Sequence, residues 1–177
     1  YLFSIYSSNI LFIIGATLLP NVGGWIGALT MKGQVKNPDG MSWYQTLQKP
    51  GWNPPNWVFG PTWTALYAGM GYASYMVYQE LGGFSDDAII PLSLYGGQLL
   101  LNWTWTPIFF RCHKIGLALA NIVALDVVAA ACTFKFYEVH PHAAYLMLPY
   151  LAWIGFATCL NFSIWRKNKT TVKEIKD

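Results

Sequence analysis

The sequence predicts an all-α integral membrane protein, folded as a bundle of five transmembrane helices in a single domain. The chain of 177 residues is 54% hydrophobic and only 11% charged, whereas an ordinary soluble domain carries about 25% charged residues. Its apolar stretches are each long enough for the roughly 20 residues of a spanning helix. They also lack the alternation that marks the strands of a membrane barrel. Together these observations favour helices in a bilayer.

Five stretches of the chain carry almost no charge, and we expect one spanning helix in each. The predicted spans are 10–31, 58–79, 88–110, 115–135 and 143–165. Residues 32–57 form a long connecting loop, and residues 166–177 form a polar tail. Prolines stand inside or near the ends of the spans, at Pro20, Pro61, Pro91, Pro107 and Pro149. Each proline frees a backbone carbonyl that needs another partner at membrane depth, so bends are expected there.

Small residues recur at four-residue spacing along the first three predicted helices. The pairs include Gly23 with Gly27, Gly24 with Ala28, Gly69 with Ala73, and Ser93 with Gly97. Small residues in this pattern let spanning helices approach closely. Packing inside the bundle and a dimer seam are both compatible with such ridges. We predict the seam of a homodimer at Ser93 and Gly97.

One acidic residue, Asp126, interrupts the fourth predicted helix. A carboxylate at the centre of a spanning helix costs roughly 2.5 to 3.5 kcal/mol on insertion scales. We therefore expect Asp126 to face protein or water rather than lipid, as a structural contact or as a functional group.

The cations indicate how the helices are oriented. With five spans, the loop 32–49, the turn 111–114 and the tail share one face of the membrane. Ten of the eleven Lys and Arg residues fall on that face, and Lys135 alone falls on the other. The positive-inside rule then predicts a cytosolic C-terminus. Nucleic-acid binding is disfavoured because the cations flank helices instead of forming a patch with stacking aromatics.

No catalytic or metal-binding pattern stands out. Cys112, Cys132 and Cys159 are far apart, without the spacing of a zinc site or a disulfide framework. The histidines fall in loops, and His140 and His142 are the only closely spaced pair. The sequence thus predicts no enzyme activity, no cofactor and no metal site. We also expect no cleavable presequence, since the first 31 residues carry no Lys or Arg.

The stretch KPGWNPPNWVFGPTW, residues 49–63, combines prolines with tryptophans. Proline excludes a helix through its first half, and tryptophan suits a boundary between apolar and wet surroundings. On its own this composition fits a soluble aromatic cleft, a peptide-binding groove or the rim of a membrane pocket.

The longer motifs settle this choice through a resemblance. The segments WYQTLQKPGWNPPNWVFGPTW, LYAGMGYASY, ELGGF, PLSLYGGQLLLNWTWTPIFF and PYLAWIGFATCLNFSIWR resemble the translocator protein family, which includes the tryptophan-rich sensory proteins of bacteria. The resemblance runs from about Leu18 to Arg166.

The resemblance implies a five-helix bundle in the mitochondrial outer membrane, often a homodimer, with other mitochondrial membrane proteins as partners. Its implied ligands are cholesterol, protoporphyrin IX or haem, and drug-like molecules. The first loop would fold over the cytosolic mouth of the bundle as a lid. The lid residues would be Trp52, Pro54, Pro55 and Trp57. Pro61 would stand in the first turn of the second helix, where its missing amide is no loss.

The resemblance also implies a set of binding residues. The expected pocket residues are Ala28, Met31, Phe59, Gly60, Trp63, Asn102, Trp105, Ala124, Trp153, Ala157 and Leu160. A sterol motif near the end of the fifth helix would comprise Leu160, Phe162 and Arg166, with Phe162 standing where the family pattern has tyrosine. Such motifs are weak even when complete.

Three functions follow from these observations. The first is non-enzymatic binding of lipids and tetrapyrroles, tied to their transport or handling. The second is a porphyrin-degrading photochemical enzyme in which Trp63 and Trp153 react. The third is a structural or regulatory subunit of a larger membrane complex.

Overall fold

The computed structural model of the chain describes residues 2–31 and 42–174, with side chains for residues 10–27 and 42–169. The regular elements within these ranges are helices. They are α1 (Leu2–Met31), α2 (Trp43–Thr46), α3 (Asn56–Glu80), α4 (Ile89–Thr106), α5 (Ile115–Val139) and α6 (Pro141–Glu174). A 3-10 turn, Asp86–Ala88, leads into α4, and a π-turn, Pro107–Arg111, continues it. The predicted all-helical class is confirmed.

Three of the described helices are long and apolar enough to cross a membrane. The qualifying stretches are Ile10–Gly27 in α1, Ile115–Val139, which is α5, and Pro141–Lys169 in α6. Large apolar side chains such as Leu11, Val127 and Phe134 are exposed on their outer surfaces. Contiguous apolar surface of this kind marks a membrane-facing protein.

The connections between helices depend on specific turn residues. Helix α3 ends at Glu80, and Gly82 and Gly83 follow it with φ of +69° and +103°, a region that favours glycine. The amide of Gly83 donates to the Tyr78 carbonyl at 2.8 Å and closes the helix end. Helix α6 begins with Pro141 at its first position, where proline fits because its missing amide would have no helical partner.

Helices α1 and α3 touch through their backbones. A β-carbon built on Gly71 of α3 would collide with the Ala16 carbonyl oxygen and would lie 2.8 Å from the Thr17 α-carbon. The Ala16 carbonyl is the one that Pro20 leaves without a helical donor, because proline has no amide. Glycine at position 71 is therefore what allows the backbone of α1 around Ala16 and Thr17 to rest directly on α3.

The small residues of α1 serve packing inside the bundle. A β-carbon on Gly23 would collide with the Trp103 indole, and one on Gly24 would lie 2.7 Å from the Tyr67 ring. The Trp103 indole nitrogen donates to the Pro20 carbonyl at 3.2 Å. These contacts hold α1 against α3 and α4. On α4, Ser93 is exposed and Gly97 is half-buried, its built β-carbon 3.9 Å from Val128 of α5, and the dimer seam there stays a prediction.

The position of Pro61 differs from expectation. Helix α3 starts at Asn56, so Pro61 is its sixth residue and lies inside the helix instead of in its first turn. The reason is local: Pro54 and Pro55 end the extended segment, and the helix can begin at the first residue that follows them. Pro61 consequently frees the Trp57 carbonyl.

The end of the bundle that contains the N-terminal half of α4 is solidly packed. Its fully buried side chains come from α3, α5 and α6, and they are Met70, Ala73, Val77, Ala129, Cys132, Phe136, Ala143 and Met147. We call this part the closed half. No lining residue of the main cavity described below belongs to this set.

Asp126 lies at the contact between α5 and α6. The Thr158 hydroxyl donates to its Oδ2 atom at 2.7 Å. Its Oδ1 atom is enclosed and has no hydrogen-bond partner. The carboxylate therefore contacts protein, as the cost of exposing it to lipid predicts.

Candidate ligand-binding cavity

A cavity of about 500 Å³ occupies the other half of the bundle, which we call the lid half. Its volume falls within the range of about 300 to 1,000 Å³ that is typical of small-molecule sites. All five long helices contribute to its wall, together with the π-turn after α4 and the segment before α3. The lining residues are Asn21, Gly24, Trp25, Ser42, Tyr44, Asn56, Phe59, Gly60, Trp63, Thr64, Tyr67, Asn102, Trp105, Thr106, Phe109, Phe110, Ile122, Leu125, Trp153, Ala157, Leu160, Asn161 and Ile164.

Aromatic rings form much of the wall. Trp63 lies at the centre, with its ring centroid 5.2 Å from Tyr67, 6.4 Å from Tyr150 and 6.3 Å from Trp153. The Trp63 and Trp153 planes meet at 85°, edge to face. Rings in contact at these distances stabilise one another and present flat apolar faces.

A chain of hydrogen bonds runs from the cavity into the bundle. The Tyr67 hydroxyl donates to Asn102 Oδ1 at 2.5 Å, and the Asn102 amide donates to the Tyr150 hydroxyl at 3.0 Å. Tyr150 in turn donates to Gln98 Oε1 at 2.6 Å. All four side chains are buried. The chain satisfies most of the polar groups that α3, α4 and α6 place in an apolar interior, where an unpaired group is costly.

The indole nitrogens of Trp105 and Trp153 differ in their hydrogen bonding. Trp105 Nε1 already donates to Asn161 Oδ1 at 3.0 Å, and the Asn161 amide donates to the Ile115 carbonyl at 3.2 Å. Trp153 Nε1 is enclosed and has no hydrogen-bond partner. Trp105 is therefore held in place by its bond, whereas the Trp153 indole nitrogen is enclosed without one and Trp153 contributes its ring to the wall.

The segment before α3 closes one end of the cavity. Trp43 stacks on His113 with centroids 4.0 Å apart and meets Phe109 edge to face at 5.7 Å. Tyr44 contacts Phe109 and Phe110 at 6.2 and 5.5 Å. We call residues 42–55 the lid segment. It lies across the π-turn after α4 and the start of α5.

Hydrogen bonds attach the lid segment to α6. The Gln48 amide donates to Asn168 Oδ1 at 3.1 Å, and the Asn168 side-chain amide donates back to the Gln48 carbonyl at 3.0 Å. Lys49 Nζ donates to the Tyr44 and Leu47 carbonyls at 2.7 and 3.1 Å. The two reciprocal bonds between Gln48 and Asn168 fasten the lid segment to α6, and we call them the clasp.

Burial shifts the pKa values of two side chains in the lid segment. It raises the pKa of the Tyr44 hydroxyl above its ordinary value, and the hydrogen bond to Asn53 partly offsets this. It lowers the pKa of the Lys49 ammonium. Tyr44 therefore stays neutral at physiological pH and adds no charge to the cavity wall.

The structure brings most of the predicted pocket residues together. Those that line the cavity are Phe59, Gly60, Trp63, Asn102, Trp105, Trp153, Ala157 and Leu160. Ala124 is exposed on α5, and its neighbours Ile122 and Leu125 line the cavity instead. The side chains of Ala28 and Met31 lie outside the described residues. The binding role of each residue stays a prediction.

The predicted lid residues lie outside the cavity wall, although the lid segment itself contributes Ser42 and Tyr44. Trp52 is exposed and contacts Phe156 edge to face at 5.7 Å. Trp57 is 75% exposed. Pro54 and Pro55 lie between them, half-buried and exposed, respectively.

The three residues of the predicted sterol motif do not share a face of α6. Leu160 is buried and lines the cavity, whereas Phe162 and Arg166 are exposed on the outside. Two residues along a helix correspond to about 200° of rotation, which separates Leu160 from Phe162. Phe162 packs beside Trp165 at 6.0 Å, and Lys169 Nζ lies 4.7 Å from the Trp165 ring centroid.

Several lining residues were not among the pocket residues predicted from the sequence. They are Asn21, Gly24, Trp25, Tyr44, Tyr67, Phe109, Phe110, Ile122, Leu125, Asn161 and Ile164, with the polar residues Ser42, Asn56, Thr64 and Thr106. A helical signal existed for some of them. Tyr67 follows Trp63 by four residues, and Ile164 follows Leu160 by four, so each pair shares a face.

The sequence resembles those of known proteins. The sequence pattern of the TspO/MBR family matches residues 16–166. The chain belongs to this family. It is 49% identical to the translocator protein of Homo sapiens over 155 residues, covering 88% of this chain and 89% of the human protein. It is 48% identical to the translocator protein of Sus scrofa over 156 residues, with the same coverage. The tryptophan-rich sensory protein of Cereibacter sphaeroides is 40% identical over 142 residues, 80% of this chain and 85% of the relative.

Membership of the TspO/MBR family and the apolar helices together identify a multi-pass membrane protein. The family match begins in α1 and ends near the exposed Arg166 of α6. It therefore includes each described lining residue of the cavity.

Proposed function

We propose that this protein is a non-enzymatic receptor of the mitochondrial outer membrane that crosses the bilayer five times. In this proposal it binds cholesterol, porphyrins such as protoporphyrin IX, and drug-like molecules within the bundle, and takes part in their transport or handling. The observation that carries the proposal is the cavity of about 500 Å³, lined by aromatic rings and closed at one end by the lid segment.

The five-span count rests on the length and packing of α3 and α4 beside the three strongly apolar helices. Helix α3 has 25 residues, and α4 with its π-turn covers positions 89–111. Both pack between helices that cross the membrane. Their lower hydropathy follows from the polar residues that they turn inward, among them Tyr67, Gln98 and Asn102.

The chemistry of the wall favours flat apolar ligands that carry a hydrogen-bond donor. Trp63 and Trp153 offer ring faces. Tyr67 donates its hydroxyl proton to Asn102, so its oxygen can still accept a bond from a ligand donor. Binding sites for small molecules combine apolar walls with a few fixed polar groups in this way.

Quenching of tryptophan fluorescence by protoporphyrin IX tests the assignment. The triple variant Trp63→Phe, Trp105→Phe, Trp153→Phe should bind protoporphyrin IX at least tenfold more weakly than the wild type. The single variant Trp57→Phe is the control, because Trp57 is exposed and lies outside the cavity. If a folded triple variant binds as tightly as the control, the cavity is not the porphyrin site. Light-dependent chemical loss of bound porphyrin that requires Trp63 and Trp153 would favour the photochemical enzyme instead.

The proposed orientation places the C-terminus in the cytosol, with a homodimer through Ser93 and Gly97. Ten of the eleven cations fall on the face that carries the tail. Protease added to intact mitochondria should then cleave after Arg166. A tail that is cut only after the outer membrane is ruptured would show the opposite orientation.

A further inference from the structure

The cavity wall is exposed on one side. Among its lining residues, the exposed ones are Trp25 on α1 and Asn56, Gly60 and Thr64 on α3. The three α3 residues are spaced four apart, so they form a single stripe along the helix. Lining residues from α4, α5 and α6 are buried or half-buried. The exposed side therefore lies between α1 and α3.

The face of α3 that carries Gly60 and Gly71 is packed differently at these two positions. Gly60 and Gly71 are eleven residues apart, about three helical turns, and so point in nearly the same direction. A β-carbon on Gly71 would collide with the backbone of α1, whereas one on Gly60 would meet nothing within 4 Å. Further towards the C-terminal end of α1, a β-carbon on Gly24 would lie 2.7 Å from the Tyr67 ring. We call the gap bounded by Trp25, Gly60 and Thr64 the fork.

The polar groups at the fork are suited to lipid. The Thr64 hydroxyl donates to the Gly60 carbonyl of its own helix at 3.0 Å, so the hydroxyl has a hydrogen-bond partner without help from water. Thr62 is paired in the same way with the Val58 carbonyl at 2.8 Å. Bilayer-facing structure requires polar groups to be satisfied internally. The outward neighbours on α1, Val22 and Ile26, are exposed and apolar.

The opposite boundary of the cavity is held shut. The lid segment is joined to α6 by the two bonds between Gln48 and Asn168, and Trp43 is packed between His113 and Phe109. A ligand leaving on that side would have to break these contacts and then enter water. An apolar molecule favours hydrocarbon over water by about 25 cal/mol for each Å² of apolar surface.

We propose that apolar ligands exchange between the cavity and the bilayer sideways through the fork, past Trp25 and Thr64, while the lid segment stays closed. This inference rests on the proposed function, because it describes how the ligand of that cavity arrives and leaves. Trp25, which is 53% exposed and also lines the cavity, acts as the movable side of the opening. The lid segment then serves to exclude water and not to admit the ligand.

Rates of protoporphyrin IX exchange test the route, with purified protein in lipid nanodiscs. Thr64→Trp should obstruct the fork and slow both association and dissociation at least tenfold. Ala65→Trp is the matched control, because Ala65 is exposed, adjacent and not part of the cavity wall. Trp25→Ala should widen the fork and speed both rates at least threefold.

The competing route, in which the ligand passes the lid segment, predicts an effect in a different variant. Asn168→Ala removes both bonds of the clasp and should leave the rates within twofold of wild type if the fork is used. Unchanged rates in Thr64→Trp and Trp25→Ala overturn the proposal, and faster dissociation of Asn168→Ala alone would assign the route to the lid. If Thr64→Trp abolishes binding, Trp25→Ala decides by itself. A wild-type protein that binds no porphyrin would instead contradict the proposed function.

Discussion

The closed half and the lid half of this bundle are built from the same helices, yet one is solid and the other is hollow. In the closed half, Gly71 brings the backbones of α1 and α3 into contact, and small side chains such as Ala73 and Ala129 are fully buried. In the lid half, the rings of Trp63 and Trp153 stand between the helices. Small residues let membrane helices close together, and large rings hold them apart around a space.

The contact at Gly71 should be the most sensitive to change. Gly71→Ala places a β-carbon against the backbone of α1, which cannot move aside as a flexible side chain would. We expect the free energy of unfolding in detergent to fall by about 3 kcal/mol, as overpacking does in other cores. Gly96→Ala is the control, because its β-carbon would meet nothing within 4 Å. It should stabilise α4 by up to about 1 kcal/mol. Equal melting temperatures for the two variants would contradict the backbone contact.

The boundary between the halves is held by the buried hydrogen-bond chain. Asn102→Leu removes the acceptor of Tyr67 and the donor of Tyr150, and each buried group left unpaired costs about 1 to 3 kcal/mol. Thermal unfolding should show a loss in this range, together with weaker porphyrin binding. Asn121→Leu is the matched control, since the Asn121 amide bonds only to the exposed Thr104 hydroxyl. If the loss of stability in Asn102→Leu is no larger than that in the control, the buried hydrogen-bond chain adds nothing to stability.

Substitutions at the contact between α5 and α6 should have a smaller effect on stability. Asp126→Leu removes the bond from the Thr158 hydroxyl and should lower the free energy of unfolding by about 1 kcal/mol. Asp126→Asn keeps an acceptor at the same place and should recover most of that loss. A clear gain in stability for Asp126→Leu, with unchanged ligand binding, would show that the charge is merely tolerated.

Substitutions on the outer surface of the lid half should have the smallest effects. Phe162 is 47% exposed on α6 and lies outside the cavity wall, so a sterol at the predicted motif would meet its ring from the bilayer side, separately from any sterol in the cavity. Phe162→Tyr adds one hydrogen bond of about 0.5 to 1.5 kcal/mol, which predicts a change in cholesterol affinity of less than about tenfold. Phe162→Ala should weaken binding more, because it removes the ring.

A photoreactive sterol titrated into each variant in the same lipid measures this difference. If Arg166 donates a charge-assisted bond to the sterol hydroxyl as we propose, Arg166→Leu should cost about 1.5 to 3 kcal/mol. If the wild type binds no sterol and Phe162→Tyr alone creates binding, the tyrosine hydroxyl is decisive and this chain is not a sterol binder.

The membrane class, the helices and eight of the cavity residues were accessible from the sequence. Long uncharged stretches are a local property, so they predict helices without knowledge of contacts. The aromatic motifs carried the resemblance that placed Trp63, Asn102 and Trp153 in one site. Helix ends were less accessible, and Pro61 shows why: where α3 begins depends on the prolines before it as much as on Pro61 itself.

Tertiary structure decided the properties that depend on which faces meet. Ala124 and Leu125 are adjacent in sequence, yet only Leu125 reaches the cavity, because the rotation of α5 is set by its packing on α4 and α6. The indoles of Trp105 and Trp153 are chemically identical, but Asn161 occupies only the first. The chain by itself thus determined what kind of helices form and what chemistry they carry. The orientation of each helix determined where that chemistry faces, since one residue of rotation, about 100°, moves a side chain from the lipid to the cavity.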